Sequence, residues 1–418
     1  MARRAAVTGI GVVAPNGLGT AAYWSATVSG HSGIGRVTRF DPASYPVRLA
    51  GEVPDFVDGQ HIPGRLLAQT DRMTRLALAA SDWAVADAGA DGSTWPDYLV
   101  SVVTAGGFGG FEFGQRELES LWREDGGQVS AYQSFAWFYA VNTGQISIRH
   151  GTRGPGSVFV TEQAGGLDGL AQARRLIEAG GEAVFAGGFD SALCPWGWVA
   201  QIASGRLSTC EDPDRAFLPF DEEARGYIPG EGGAMLVLED AEAAAARGAR
   251  SYGEIAGYGA TFDPRPGSDR PPGLARAIRL ALADAGLAPE QIGVVFADAS
   301  GLPDQDRREA AAINEVFGAA TVPVCTPKTM TGRLCAGGAA LDVATALLSL
   351  RDGVLPPSAN AVRPAPDYRL DLVGPRPRRV DVDNALILAR GYGGFNAALV
   401  VRKPTETGTR TKEEQWTR

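Results

Sequence analysis

The stretch of this chain best suited to chemistry is GPGSVFVTEQAGGLDGLAQARRLIEAG, residues 154–180. It reads as a buried strand, Ser157–Thr161, then the small-residue turn TEQAGG, then a helix from about Gly166 to Ala179. A sharp strand-to-helix turn exposes one side chain at a helix N-terminus, where backbone N–H groups and the helix dipole stabilise negative charge. Acyl-transfer enzymes often place a nucleophile at such a tip. Here the tip residue is Gln163, and an amide cannot form a thioester. Other reagents are scarce. The histidines are His31, His61 and His150, which limits general-base and metal chemistry. Cys194, Cys210, Cys325 and Cys335 show no CxxC spacing; they read as reduced thiols, not as a disulfide framework or a zinc site.

The elements that must position this turn come in two similar sets. Residues 74–107 run as an amphipathic helix, the tetrapeptide Ala86-Asp87-Ala88-Gly89, a loop, and an apolar strand ending in glycines. Residues 274–301 repeat that order, with Ala283-Asp284-Ala285-Gly286 closing the helix. Glycine just past the last helical turn is the usual stop signal. Gly230–Glu239 and Gly393–Arg402 form a second pair, each a glycine turn entering a buried strand. The shared order points to duplication, with halves at about 1–250 and 251–403 and a polar tail, 404–418, expected to be disordered. Short continuous apolar runs such as Val100–Thr104, Val158–Thr161, Ala183–Ala186 and Val294–Ala297 suit strands buried on both faces between helices.

The net charge of -9 argues against nucleic acid and anionic membrane surfaces as partners. No apolar run reaches the roughly 18 residues of a membrane span. The N-terminus, MARRAAVTGIG, lacks a signal peptide's long apolar region, so a cytoplasmic location is expected. The glycine runs GFGG (107–110) and GYGG (391–394) lack a dinucleotide-binding context and read as tight turns; no metal, nucleotide or flavin site is expected.

VTEQAGGLDGL resembles the TACASGLDAI-type elbow of beta-ketoacyl synthases, with Gln163 where the active-site cysteine would stand. The resemblance extends from VTGIGVVAPNG (7–17) through PFDEEARGYIPGEGGAMLVLED (219–240) to GYGGFNAAL (391–399). SFAWFYAVNTGQISIRHG (134–151) and PKTMTGRLCAGGAALDV (327–343) are similar to the ketosynthase beta subunit, or chain length factor, of type II polyketide synthases. The resemblance implies the thiolase fold, a five-layer α/β/α/β/α arrangement of two pseudo-repeated halves. It also implies three degenerate positions. Asp298 stands for the histidine of the HGTGT-like loop, Leu302 for that loop's threonine, and Arg333 for the histidine of a KxxxGH pattern. Lys328, Asp306 and Glu309 are retained, with a Lys328–Glu309 hydrogen bond expected as a remnant; Tyr392 replaces a phenylalanine.

Claisen condensation needs a thiolate to carry the acyl chain and neutral donors to stabilise the enolate left by decarboxylation. A carboxylate at 298 opposes that enolate, and arginine does not cycle as an acid or base. Asp298 and Arg333, carrying opposite charges beside Gln163, are expected to contact each other. The resemblance further implies a heterodimer with a ketosynthase alpha subunit, made by the 157–161 strand and buried in part by Phe135, Trp137 and Phe138, with acyl carrier protein as a partner of the complex. Phe111, Gly114 and Leu118 share one helical face and match the positions thought to close the acyl cavity. Gly114 is expected to leave room there, favouring a longer product. Plain interface packing is the competing reading of those three residues. Two further functions compete with a chain-length role. One is a malonyl-carrier-protein decarboxylase using Gln163, although enzymes of that kind keep their histidines. The other is an assembly protein without influence on the product.

Overall fold

The structure is a computed structural model that describes residues 3–91, 93–123, 127–265, 267–360 and 363–405. The disordered tail expected over 404–418 lies outside the described residues from 406 onward. Ten strands carry the architecture: β1 (Ala5–Ala14), β2 (Val100–Ala105), β3 (Gly156–Phe159), β4 (Ala183–Asp190), β5 (Gly232–Asp240), β6 (Gly253–Phe262), β7 (Val294–Phe296), β8 (Pro323–Cys325), β9 (Asn384–Gly391) and β10 (Phe395–Arg402).

One pattern of pairing occurs twice. The first block runs β1-β5-β4-β2-β3 across the sheet and the second runs β6-β10-β9-β7-β8. In the first, β5 is antiparallel to β1 and β4, and β2 is parallel to β4 and β3. In the second, β10 is antiparallel to β6 and β9, and β7 is parallel to β9 and β8. The blocks meet where Ala6 and Val7 of β1 pair with Glu254 and Gly253 of β6.

Eight helices bear on the site: α1 (Arg72–Asp87), α2 (Phe111–Arg123), α3 (Val141–His150), α4 (Gly165–Glu178), α5 (Pro195–Ile202), α6 (Leu274–Ala285), α7 (Pro303–Phe317) and α8 (Ala336–Asp352). Helices α1 and α3 cover the outer face of the first block, α6 and α7 that of the second, and α4 and α8 lie between the blocks. This is the five-layer thiolase architecture. Both helices that end in the repeated Ala-Asp-Ala-Gly sequence are outer helices, and Gly89 and Gly286 close them at φ 62° and 67°.

The duplication also appears where helix meets strand. A Cβ on Gly9 of β1 would fall 2.1 Å from Ala84 O of α1, and one on Gly257 of β6 would fall 2.3 Å from Ala281 O of α6. Only glycine permits that approach at either place. The central helix α8 is buried from Ala336 to Leu350, as expected of a helix with a sheet on each side. Among the described residues, no helix is long and apolar enough to cross a membrane.

One expected feature is corrected. The strand leading into the elbow is not buried on both faces: β3 is half-buried, ends at Phe159, and forms the outer edge of the first block. Among the described residues, no further strand pairs with its outer edge.

Candidate functional site

Beyond β3 the chain makes a short 3₁₀ turn, Glu162–Ala164, and enters α4 at Gly165. The small residues after the tip let α4 pack on α8: a Cβ at Gly166 would lie 2.7 Å from Ala340 N. Glu162 has φ 53°, a left-handed conformation rare outside glycine and a mark of local strain. Gln163 is buried. Its amide, oriented by its surroundings, donates from Nε2 to Cys335 O at 2.9 Å and accepts from Cys335 N at 3.1 Å. The tip side chain is therefore bound to the segment that opens α8, itself strained at Cys335 (φ 50°).

Asp298 follows β7 and Arg333 precedes α8, and the fold brings them together. Arg333 Nη2 lies 3.1 Å from both carboxylate oxygens of Asp298, while Nη1 donates to the Asp298 carbonyl at 2.8 Å. The Arg390 backbone N–H donates to Asp298 Oδ1 at 3.0 Å. Both side chains are almost wholly buried, and the guanidinium also lies over the Tyr227 ring at 5.5 Å. Burial pulls the Arg333 pKa down, but Asp298 and Glu162 outweigh it and hold the group above its ordinary value. Burial pushes the Glu162 carboxyl up, with Arg333 opposing. These groups line a cavity of about 540 Å3. Its wall includes Glu162, Tyr227, Asp298, Arg333, Arg390 and Tyr392, whereas Gln163 is turned toward Cys335. The site thus presents paired charges and an engaged amide, and among the described residues its wall carries no thiol and no imidazole.

Two acidic residues, Glu309 and Asp306, hold the loop that carries Asp298. Glu309 Oε1 accepts from Asp298 N at 2.7 Å and Oε2 from Ala299 N at 2.9 Å. Asp306 accepts from Ser300 Oγ, Gly301 N and Phe220 N at 2.9–3.0 Å. Burial, with Asp298 adding repulsion, pushes Glu309 up to about 7; burial raises Asp306 to about 6.

Lys328 does not bond Glu309, contrary to the sequence expectation. Its ammonium donates to Ala297 O at 2.5 Å and pairs with Asp342 Oδ2 at 2.7 Å. The reason is placement. Glu309 is directed at the 298–299 backbone N–H groups, whereas Asp342, isolated among the apolar residues of α8, lies beside the ammonium and would otherwise be an unpaired buried carboxylate.

A family model for the beta-ketoacyl synthase N-terminal domain matches residues 2–244, and one for the C-terminal domain matches residues 252–362. The chain belongs to the beta-ketoacyl synthase family. Among its relatives, the actinorhodin polyketide beta-ketoacyl synthase 2 of Streptomyces coelicolor is 61% identical over 95% of this chain and 98% of its own. The tetracenomycin polyketide synthase ketoacyl synthase beta subunit of Streptomyces glaucescens matches equally, at 61% with the same coverage. The solved ishigamide ketosynthase/chain length factor superposes with a TM-score of 0.86 at 29% identity, covering 96% of this chain and 100% of that one. A type II polyketide synthase ketosynthase in complex with its acyl-carrier protein gives 0.85 at 26% identity, covering 96% and 100%.

Within this beta-ketoacyl synthase frame, the three proposed gate residues do not share one environment. Phe111 and Gly114 on α2 lie against Trp137 and Trp196, while Leu118 is 37% exposed and lines a separate groove with Trp122. Gly114 does not leave an empty space: a Cβ there would stand 2.9 Å from Trp137 Cε3 and 3.1 Å from Trp196 Cζ3. The glycine is matched to two indoles supplied from elsewhere in the chain. The aromatic segment before α3 is only partly covered, with Trp137 37% and Phe138 45% exposed and Phe135 half-buried.

Three residues that matter here escaped sequence reasoning: Glu162, Asp342 and Trp196. Asp342 had a legible signal, as the one charged residue between Ala336 and Leu350 of a wholly buried helix. Glu162 stood beside the tip, but only the turn geometry directs it into the cavity. For Trp196, no spacing rule links it to Gly114.

Proposed function

We propose that this chain is the non-catalytic ketosynthase beta subunit of a type II polyketide synthase, a chain length factor that pairs with a ketosynthase alpha subunit and shapes the cavity in which an aromatic polyketide grows. The observation that carries the reading is the Asp298–Arg333 ion pair, which fills both histidine positions and satisfies itself. A site built for condensation holds donors free for substrate; this one consumes its donors internally. The names of the relatives support the pairing with an alpha subunit. The structural neighbour solved with its acyl-carrier protein supports a carrier protein as partner of the complex.

The half-buried edge β3 and the uncovered aromatics Trp137 and Phe138 supply the heterodimer surface. A permanent interface of this kind buries well over about 2,000 Å2. We read residues 1–250 and 251–403 as its two thiolase-like halves, and the cytoplasm as its location. Phe111, Gly114 and, from the neighbouring groove, Leu118 form part of the wall at the far end of the acyl cavity, and Lys328, Glu309 and Asp306 are a structural remnant. Decarboxylation through Gln163 is disfavoured because its amide is already bonded to both backbone groups of Cys335.

The test is co-expression with a cognate ketosynthase alpha subunit and carrier protein, followed by mass analysis. Products that require this chain, and whose length changes when Gly114→Thr and Leu118→Phe are combined in an intact heterodimer, support the reading. Condensation or malonyl decarboxylation by this chain alone overturns it.

A further inference from the structure

One buried carboxylate caps two helices. Asp71 is the N-cap of α1, where its Oδ1 accepts from Met73 N at 2.9 Å. Its Oδ2 accepts from Phe113 N, in the first turn of α2, at 2.8 Å. A helix N-terminus leaves backbone N–H groups without partners, and an acidic side chain satisfies them while facing the positive end of the helix dipole. The residue before α2 is Gly110, which brings no side-chain acceptor of its own. The acceptor for Phe113 comes instead from the start of another helix.

The rest of this segment is held as closely. A Cβ at Gly110 would fall 2.1 Å from Ala136 O and 3.1 Å from Asp71 Cβ, and Gly110 N donates to Trp137 O at 2.9 Å. A second buried aspartate, Asp190 at the end of β4, accepts from Gly107 N, from Phe108 N and from Ala336 N of α8, each at 3.0 Å. Segment 107–113 is therefore pinned at both ends, by Asp190 to the central helix and by Asp71 to the outer one. An N-cap alone needs a single acceptor, which a serine supplies. It is the second oxygen of Asp71 that reaches Phe113. Burial pushes the Asp71 carboxyl up to about 6, and the Phe113 and Met73 N–H groups pull against that rise, so both bonds favour the charged form.

We propose that Asp71 is the positioning residue of α2: by capping α1 and α2 with one carboxylate, it fixes where the first turn of α2 stands and so narrows the range of product lengths. This rests on the chain-length reading above, which places Phe111 and Gly114 of that turn in the cavity wall. Asp71 acts only through α2. While the tie is made, one position of the turn dominates; cutting it shifts population to displaced positions, each of which admits other lengths.

The experiment uses the purified heterodimer with its alpha subunit, carrier protein and malonyl donor. It reads product lengths by mass spectrometry beside total turnover and melting temperature. Asp71→Asn and Asp71→Ser each keep one acceptor, enough to cap α1, since asparagine and serine serve as N-caps about as well as aspartate. Neither offers the second oxygen that reaches Phe113 N. Both should assemble and raise the share of off-length products about tenfold, the effect of one lost hydrogen bond to a charged group, with total turnover little changed. Asp71→Ala loses both bonds and should show the same spread with a further fall in melting temperature.

Parent-length product alone from the assembled Asn and Ser variants, while Gly114→Thr with Leu118→Phe changes the length, overturns the positioning role and leaves the chain-length reading intact. A spread that appears only in Asp71→Ala, in step with its melting temperature, assigns Asp71 to stability and overturns the role as well. Unchanged length in every assembled variant overturns both readings. If neither Asn nor Ser assembles, amide hydrogen exchange in the full chain decides. Faster exchange over 111–115 with α1 unchanged supports the positioning role, and equal loss of protection in α1 and α2 overturns it.

Discussion

The charged cluster around Asp298 and Arg333 and the aromatic face near Trp137 handle their unusual residues in opposite ways. Around Asp298 and Arg333, buried charges are paired, bonded to backbone and enclosed; Asp298 accepts from Arg333 and Arg390, and Glu309 and Asp306 fix its loop. Around β3 and residues 135–139, apolar groups are left half-covered and a sheet edge is left unpaired by this chain. The contrast teaches that the site satisfies its charges within the fold, while the face leaves apolar groups that this fold does not cover. A buried polar group must find its partners within the fold, whereas an exposed apolar strip beside a free strand edge invites another chain.

The largest effect should come from the face. Replacing Trp137 and Phe138 together by glutamate places two charges on the strip and should abolish co-purification with the alpha subunit, a loss of more than about 3 kcal/mol in association. The same double variant bound as tightly as wild type would remove the face from the interface. In the charged cluster, Arg333→Met strands a buried carboxylate and should cost about 3–5 kcal/mol in a denaturant titration, with Asp298→Asn similarly harmful. The two together should be milder than either alone. A cycle without coupling would mean that the pair does not compensate itself.

A smaller but sharper test separates the partners of Lys328. Lys328→Met should show strong coupling with Asp342→Asn and additive behaviour with Glu309→Gln, since the ammonium contacts Asp342 and the Ala297 carbonyl. The reverse pattern would restore the pairing with Glu309 that sequence alone suggested. The smallest expected effect is none: Gln163→Cys in the isolated chain should leave condensation undetectable in a product assay, because neither neighbouring position offers a neutral donor. Its Cys335 contacts would be lost, so a modest fall in melting temperature is expected alongside.

Much of the molecule was legible from residue order. The duplicated Ala-Asp-Ala-Gly helix ends and the glycine-led strands are local signals, and both halves place them at equivalent points of the same strand order. The identity of Gln163, Asp298 and Arg333 argued against condensation chemistry at those positions without coordinates, since that argument depends only on which atoms a side chain carries. The opposite charges at 298 and 333 also foretold their contact, because a lone buried charge is too costly to persist.

Other features required the fold. That β3 is an edge, not a buried strand, depends on which strands close the sheet, and an apolar run reads the same in either place. That Lys328 meets Asp342 instead of Glu309 depends on which acid the fold sets beside the ammonium and which it directs at the 298–299 backbone. That Gly114 is filled by Trp137 and Trp196 depends on three segments meeting in space. Sequence alone determined which reactive groups stand at positions 163, 298 and 333, because chemistry belongs to residue types, and it determined the repeated elements, because helix and strand periodicities are short-range. Only the tertiary structure decided which partners satisfy each buried group and which surfaces stay open, because those outcomes are competitions among residues that the chain brings together only when packed.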